Sequence, residues 1–215
     1  MPSLDKALLC QLLTSLFSPP DEEMVDLVCQ GAVYSFLKNH VQTLGADEGV
    51  LEGFQTDETP EVLLTLLREE YIRLFSETGK ERISLVESVY KPWSQDPRCG
   101  LSFAKETGLL MGDSAVHLSR VYQECGLEVA EPLKGMPDHL IVELEFLSCL
   151  YRWAEDNNIG TFIRHHLDWI PLLIERGQAA HPLPFYGGLL EFLGLFVEAE
   201  EERLETENHG KKDVL

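Results

Sequence analysis

Apolar residues in this chain return every three or four positions and almost nowhere at every second one. That period places side chains along one face of an α-helix, and a chain built from such stripes must bury them helix against helix. The plainest stripe is Leu140, Leu144, Leu147, Tyr151 and Ala154, at spacings of 4, 3, 4 and 3. Leu63, Leu67, Tyr71 and Leu74 form another, entered through Thr59-Pro60, a capping hydroxyl followed by proline at the first helical position. The fold class this predicts is all-α: a single-domain helical bundle with a long irregular loop between the third helix and the next.

The remaining segments fit that reading. Ser3 is placed to cap a helix running to about Phe17, with Leu9, Leu12, Leu13 and Leu16 on one side, until Pro19 and Pro20 stop it. Asp21 caps a second helix whose apolar face takes Met24, Leu27 and Val28 and extends to Phe36 and Leu37, and residues 44–59, rich in Gly, Asp, Glu and Thr, read as loop. Residues 76–100 are broken by Gly79, Pro92, Pro97 and Gly100, and the stretch 83–90 looks extended. Connections of this length are functional or disordered, and Tyr90 and Trp93 argue against disorder. Asp113 caps the next helix, with Leu118, Val121, Tyr122 and Cys125 inward and Gly126 as its stop. Residues 127–136 are irregular, and Pro137 opens the helix carrying the long stripe. A helix from about Gly160 is interrupted by Pro171, and a last one from about Pro184 buries Phe185, Leu189, Phe192, Leu193 and Phe196. The acidic run 198–205 reads as a solvated face or a frayed end, and 206–215 as a polar tail behind a domain spanning 1–205.

At 215 residues with 44% hydrophobic and 25% charged residues, one ordinary globular core is expected. The net charge of −20 is unusual. It argues against nucleic acid and anionic membranes as partners and favours encounter with basic ones, although a merely soluble surface carries acid as well. Five cysteines, odd in number and without a CxxC pair, predict a reduced protein in which most of them are small core residues, rather than a disulfide or zinc framework. No signal-peptide pattern and no apolar run of about 20 residues is found, so a cytoplasmic protein without membrane insertion is expected.

Three constellations carry candidate chemistry. Pro137-Asp138-His139-Leu140 with Glu143 puts an acid and a histidine in a helix's first turn, and His139 and Glu143 at i and i+4 on one face. Three readings stand open: a cap, a polar pair at the mouth of a ligand groove, or half of a metal site. His165-His166 with Asp168 diverges by about 100° around a helix, so one histidine faces inward and the other faces solvent. Ser88 lacks a nucleophile elbow, and no phosphate-binding loop occurs. The chain is expected not to be an enzyme and to need no cofactor and no metal. Two alternatives remain: a helical metal-dependent hydrolase using His139, Glu143 and one of His165 or His166, or an acidic protein-interaction adaptor.

In order along about residues 5–200, several segments resemble one family. Tyr71-Ile72-Arg73-Leu74-Phe75 is similar to its Y-x-x-L-F helix end, and Glu87-Ser88-Val89-Tyr90 to its E-S-V-Y loop. Pro137-Asp138-His139-Leu140, continuing through Glu143-Leu144-Glu145-Phe146-Leu147, is similar to its P-D-H-L-x-x-E-L-x-F stretch, and His166 to Pro171 to its H-L-x-W-x-P segment. The chain thus resembles the TorD/DmsD-type redox enzyme maturation chaperones. The resemblance implies an all-helical cytoplasmic chaperone that binds the twin-arginine signal peptide and the apoprotein of a molybdopterin-dependent oxidoreductase, assists cofactor insertion and holds back export. It places peptide binding at Tyr71, Leu74, Phe75, Leu85, Val86, Glu87, Ser88, Tyr90, Asp138 and His139. Trp93 joins them by its place in the same loop. Asp138 is then expected to accept from an arginine fork, and His139 to titrate near neutral pH. Either a monomer or a domain-swapped dimer is compatible with long connections between helices. Leu85-Val86, and Met136 before the Pro-Asp-His core, depart from the family's usual residues, which bears on client specificity.

Overall fold

A computed structural model of the chain describes residues 3–76, 78–79 and 81–212, with side chains as far as Thr206. Its α-helices are α1 (Ser3–Phe17), α2 (Glu22–Cys29), α3 (Ala32–Leu44), α4 (Pro60–Phe75), α5 (Asp113–Glu124), α6 (Leu140–Trp153), α7 (Asp156–His166), α8 (Ile170–Ala179) and α9 (Pro184–Lys212). Among the described residues three 3-10 turns, Glu48–Phe54, Glu87–Val89 and Glu131–Leu133, complete the regular structure. Among the described residues the only β-contact is an isolated antiparallel bridge between Val86 and His139. The fold is all-α and forms a single domain, as the periodicity predicts.

The long stripe explains the centre of the bundle. Leu140, Leu144 and Leu147 are fully buried and Tyr151 nearly so, because α1 packs along α6 with Leu9, Leu13 and Leu16 equally buried. The Ser148 hydroxyl donates to the Ala7 carbonyl at 2.9 Å, tying the two helices. The α9 residues Phe185, Leu189, Phe192, Leu193 and Phe196 are buried where α9 meets α7, α8 and the turn Glu48–Phe54. Each such side chain contributes about 1.5–3 kcal/mol of burial. At Gly188 a Cβ would lie 2.3 Å from the Val50 carbonyl oxygen, so only glycine permits this approach.

Several local expectations are corrected. The second helix is two, because the chain turns at Gly31 with φ +72°, a left-handed conformation that glycine adopts freely. Leu27 is accordingly exposed. The supposed loop 44–59 holds the turn Glu48–Phe54, whose Val50, Leu51 and Phe54 enter the core. Asp113 is the first residue of α5 rather than its cap, and its carboxylate accepts from the Ser94 hydroxyl (2.9 Å) and the Gln95 N–H (2.8 Å). Cys125 is exposed, not inward. Helix α6 starts at Leu140, not Pro137, and α7 starts at Asp156, ahead of Gly160. Pro171 sits in the first turn of α8, where its missing N–H breaks no helical bond. The acidic run is not all solvated. Glu200 is buried, paired with Lys6 of α1 at 2.7 Å, and accepts from the Tyr151 hydroxyl at 2.9 Å. No helix among the described residues is long and apolar enough to cross a membrane.

Candidate functional site

The long connection from α4 to α5 is pinned by backbone first. The Ile83 N–H donates to the Leu74 carbonyl at 2.7 Å, as the chain leaves α4. The next residues then lie antiparallel to the approach to α6. The Leu140 N–H donates to Leu85 O at 2.8 Å, and the Glu87 N–H donates to Asp138 O at 2.9 Å. The turn Glu87–Val89 then presents Ser88 to the Asp138 carboxylate. One carboxylate oxygen accepts both the Ser88 N–H (2.8 Å) and the Ser88 hydroxyl. The Gly112 N–H donates to the Ser88 oxygen at 3.3 Å, closing the loop's far end onto the same point.

Beneath this lock lies a polar cluster supplied by four parts of the chain. The two Glu87 oxygens are divided between partners: Oε1 takes the Lys91 ammonium, and Oε2 lies 3.0 Å from His166 Nδ1. His166 Nε2 lies 2.8 Å from His117 Nδ1 of α5, and the two rings stack. Glu143 of α6 accepts from the Trp169 indole N–H at 3.3 Å through Oε2, and its Oε1 has no hydrogen-bond partner. Lys91 also reaches the His165 carbonyl at 2.8 Å and the Asp168 carboxylate. Burial opposes the charge on Glu87, but His166 and Lys91 outweigh it and hold its carboxyl below the usual range. Burial, and then the adjacent Glu87 charge, push Glu143 well above the usual range. Burial also raises Asp138, although the two Ser88 bonds oppose it.

The residues singled out in the sequence fall into two groups by exposure. Leu74, Leu85, Val86, Glu87, Ser88, Tyr90 and Asp138 are buried. Tyr71, Phe75, Trp93 and His139 are partly exposed. Tyr71 and Phe75 pack edge to face at 5.4 Å and share Tyr186. Tyr90 donates to Ser84 O at 2.7 Å, lies against Trp169 and carries the Arg176 guanidinium over its ring at 4.4 Å; burial raises its hydroxyl to about 12. Trp93 stacks edge-on with Phe103 and donates its indole N–H to Leu110 O.

His139 departs from expectation. Its Nδ1 accepts the Ile141 N–H at 3.2 Å, so it is the N-cap of α6, and it does not pair with Glu143. Burial lowers its pKa to about 4, so it is neutral at physiological pH rather than titrating there. With His139 capping and His165 exposed, the ligand set imagined for a hydrolase is not assembled. Among the described residues the trio whose ligand atoms fall within 4.8 Å of one another is Glu87, Glu143 and His166. His166 faces inward and His165 faces solvent, as the helical divergence requires. The sequence reading missed Lys91 and His117 altogether. Lys91 lies four residues after Glu87, a spacing that signals an ion pair on one turn; His117 has no such signal.

Outside the lock, a groove of about 560 Å³ runs between α5 and the irregular segment before α6. Tyr122, Leu127, Glu128, Glu131, Lys134 and Pro137 are among its lining residues. The Tyr122 hydroxyl donates to the Pro137 carbonyl at 3.2 Å, so the groove shares a wall with the Pro-Asp-His motif. Residues 37–175 match the family described as nitrate reductase delta subunit. A search of curated proteins gives no match.

Proposed function

This chain belongs to the nitrate reductase delta subunit family, and from that premise we propose that it is a cytoplasmic chaperone for a molybdopterin-dependent oxidoreductase. It binds the twin-arginine signal peptide and the apoprotein of the catalytic subunit, assists cofactor insertion and delays export until maturation is complete. It turns over no substrate. The observation that carries this reading is the family match, which spans α3 to α8 and so includes the E-S-V-Y, P-D-H-L and H-L-x-W-x-P segments. The enclosed carboxylates support it, because in this conformation no substrate reaches them.

The peptide surface is drawn from the two groups. Tyr71, Phe75, Trp93 and His139 face the peptide, while the buried Leu74, Leu85, Val86, Glu87, Ser88, Tyr90 and Asp138 hold the loop against α4 and the start of α6. The groove beside Pro137 takes an arginine-bearing segment: Leu127 and Val129 offer apolar wall, and Glu128 and Glu131 offer charge. A net charge of −20 raises the encounter rate with the basic end of such a peptide and makes binding salt-dependent.

The test is co-purification from the native cytoplasm, with the captured proteins identified. A molybdoenzyme precursor retained with its leader, and lost when the leader is deleted, is the expected result. A folded chain that retains no precursor, and whose deletion leaves molybdoenzyme activity unchanged, refutes the proposal.

A further inference from the structure

We infer that Glu87, Glu143 and His166 form a binding site for one divalent transition-metal cation, of the zinc class, that clamps the loop 81–112 onto helices α6 and α7.

The geometry divides each of the three side chains into an outer and an inner atom. Outer atoms are held in place by neighbours: Glu87 Oε1 by the Lys91 ammonium, His166 Nε2 by His117 Nδ1 at 2.8 Å, and Glu143 Oε2 by the Trp169 indole at 3.3 Å. Each residue also offers one ligand atom, and the three lie within 4.8 Å of one another. Metal-binding histidines and carboxylates are oriented in this way, with the atom that does not touch the metal fixed by an outer partner. Glu87 Oε2 and His166 Nδ1, hydrogen-bonded at 3.0 Å, are also spaced as two ligands of one ion that would replace the shared proton, since bonds of about 2.0–2.2 Å place neighbouring ligand atoms about 3 Å apart.

A second observation points to a ligand independently of the clustering. Glu143 has no solvent exposure, and its Oε1 has no partner. A buried carboxylate oxygen without a donor costs free energy comparable to a lost hydrogen bond. Only a proton shared with Glu87 or a cation completes it. The charge arrangement favours the cation: the Lys91 ammonium is taken by Glu87 and Asp168, and the charges set against Glu143 are those of the acids Glu87 and Asp138. An all-N/O donor set without thiolate suits zinc with its fourth position outside the trio. The site lies wholly inside the fold, so the ion enters as the chain folds and its binding energy appears as stability.

The experiment is refolding of the full chain, stripped of metal with a chelator, in the presence and absence of zinc chloride, followed by desalting and metal analysis. One zinc per chain in the wild type, none in Glu143→Gln and none in Glu87→Gln, with a raised Tm only for the zinc-refolded wild type, is expected. Should those variants fail to fold, Trp169→Phe leaves all three ligands in place and is expected to weaken zinc affinity about 10–100-fold. Cobalt-refolded wild type is expected to show ligand-field absorption without a thiolate charge-transfer band. Zinc retained equally by wild type and variants, or a thiolate band, places the ion on other ligands and overturns the inference. No zinc and no change in Tm overturns it in favour of a proton on Glu143.

Discussion

Replacing Asp138 by alanine should unlock the long loop without unravelling the bundle. In the native chain one Asp138 oxygen accepts two bonds from Ser88, an N–H at 2.8 Å and the hydroxyl. Hydrogen bonds to a charged acceptor contribute about 1.5–3 kcal/mol each, so their joint loss amounts to about 3–6 kcal/mol. Part of this is returned. The carboxyl is held above its usual pKa by burial, and Oδ1 has no partner, so removing the group relieves a desolvation cost of about 1–2 kcal/mol. The net expectation is a loss of about 2–4 kcal/mol, a large share of a typical domain's stability. Asp138→Asn keeps a carbonyl acceptor of the same shape and should lose about 1 kcal/mol. Urea unfolding followed by circular dichroism measures both, with the m-value unchanged if the folded state is intact. Amide hydrogen exchange localises the effect: protection should fall at Glu87, Ser88 and Leu140, whose bonds cross the loop junction, and persist in α1 and α9. A loss below about 1 kcal/mol in Asp138→Ala, or equal deprotection of α1, would refute the view that this carboxylate latches the loop locally.

Other consequences follow from the same geometry. Glu200→Ala strands the buried Lys6 ammonium and the Tyr151 hydroxyl and should cost about 3–5 kcal/mol in urea unfolding, whereas a loss of a few tenths would mean the pair acts like a surface bridge. Gly188→Ala drives a methyl to 2.3 Å from the Val50 carbonyl oxygen, so α9 and the turn Glu48–Phe54 must separate; a Tm drop of several degrees is expected, and an unchanged Tm would contradict the packing. His139 has a folded pKa of about 4 against an ordinary 6.5. The unfolded chain therefore takes up this proton first as pH falls. Its contribution is intact above pH 6.5 and is lost between about 6.5 and 4, by at most roughly 3.4 kcal/mol. His139→Gln should flatten stability against pH in that window, and an unchanged slope would count against the cap.

The helices were legible because their apolar stripes are long and regular. The stripe of α6 and the phenylalanines of α9 gave core positions residue by residue. Short elements were not, since composition hides them: Gly49, Gly53 and three acids between Asp47 and Glu52 masked Val50, Leu51 and Phe54 as loop. Glu200 was misread because the partners that bury it, Lys6 at 194 residues and Tyr151 at 49, are distant in the chain. The motif residues Glu87, Asp138, Glu143, His166 and Trp169 were each visible in the sequence. Their meeting was not, because it depends on how the loop folds back across α6 and α7. Family resemblance placed Asp138 and Glu87 on the peptide surface; the structure adds that both side chains are buried.

The proposed chaperone must recognise the basic leader of its precursor. The direct measurement is calorimetric titration of the full chain with the twin-arginine leader of the precursor it retains, at low and high salt, for the wild type and for a Glu128→Lys, Glu131→Lys variant. Micromolar or tighter binding that weakens as salt rises, and that falls at least tenfold in the charge-reversed variant, is predicted. Binding that is indifferent to both salt and charge reversal, or no binding of the leader by the folded chain, would contradict it.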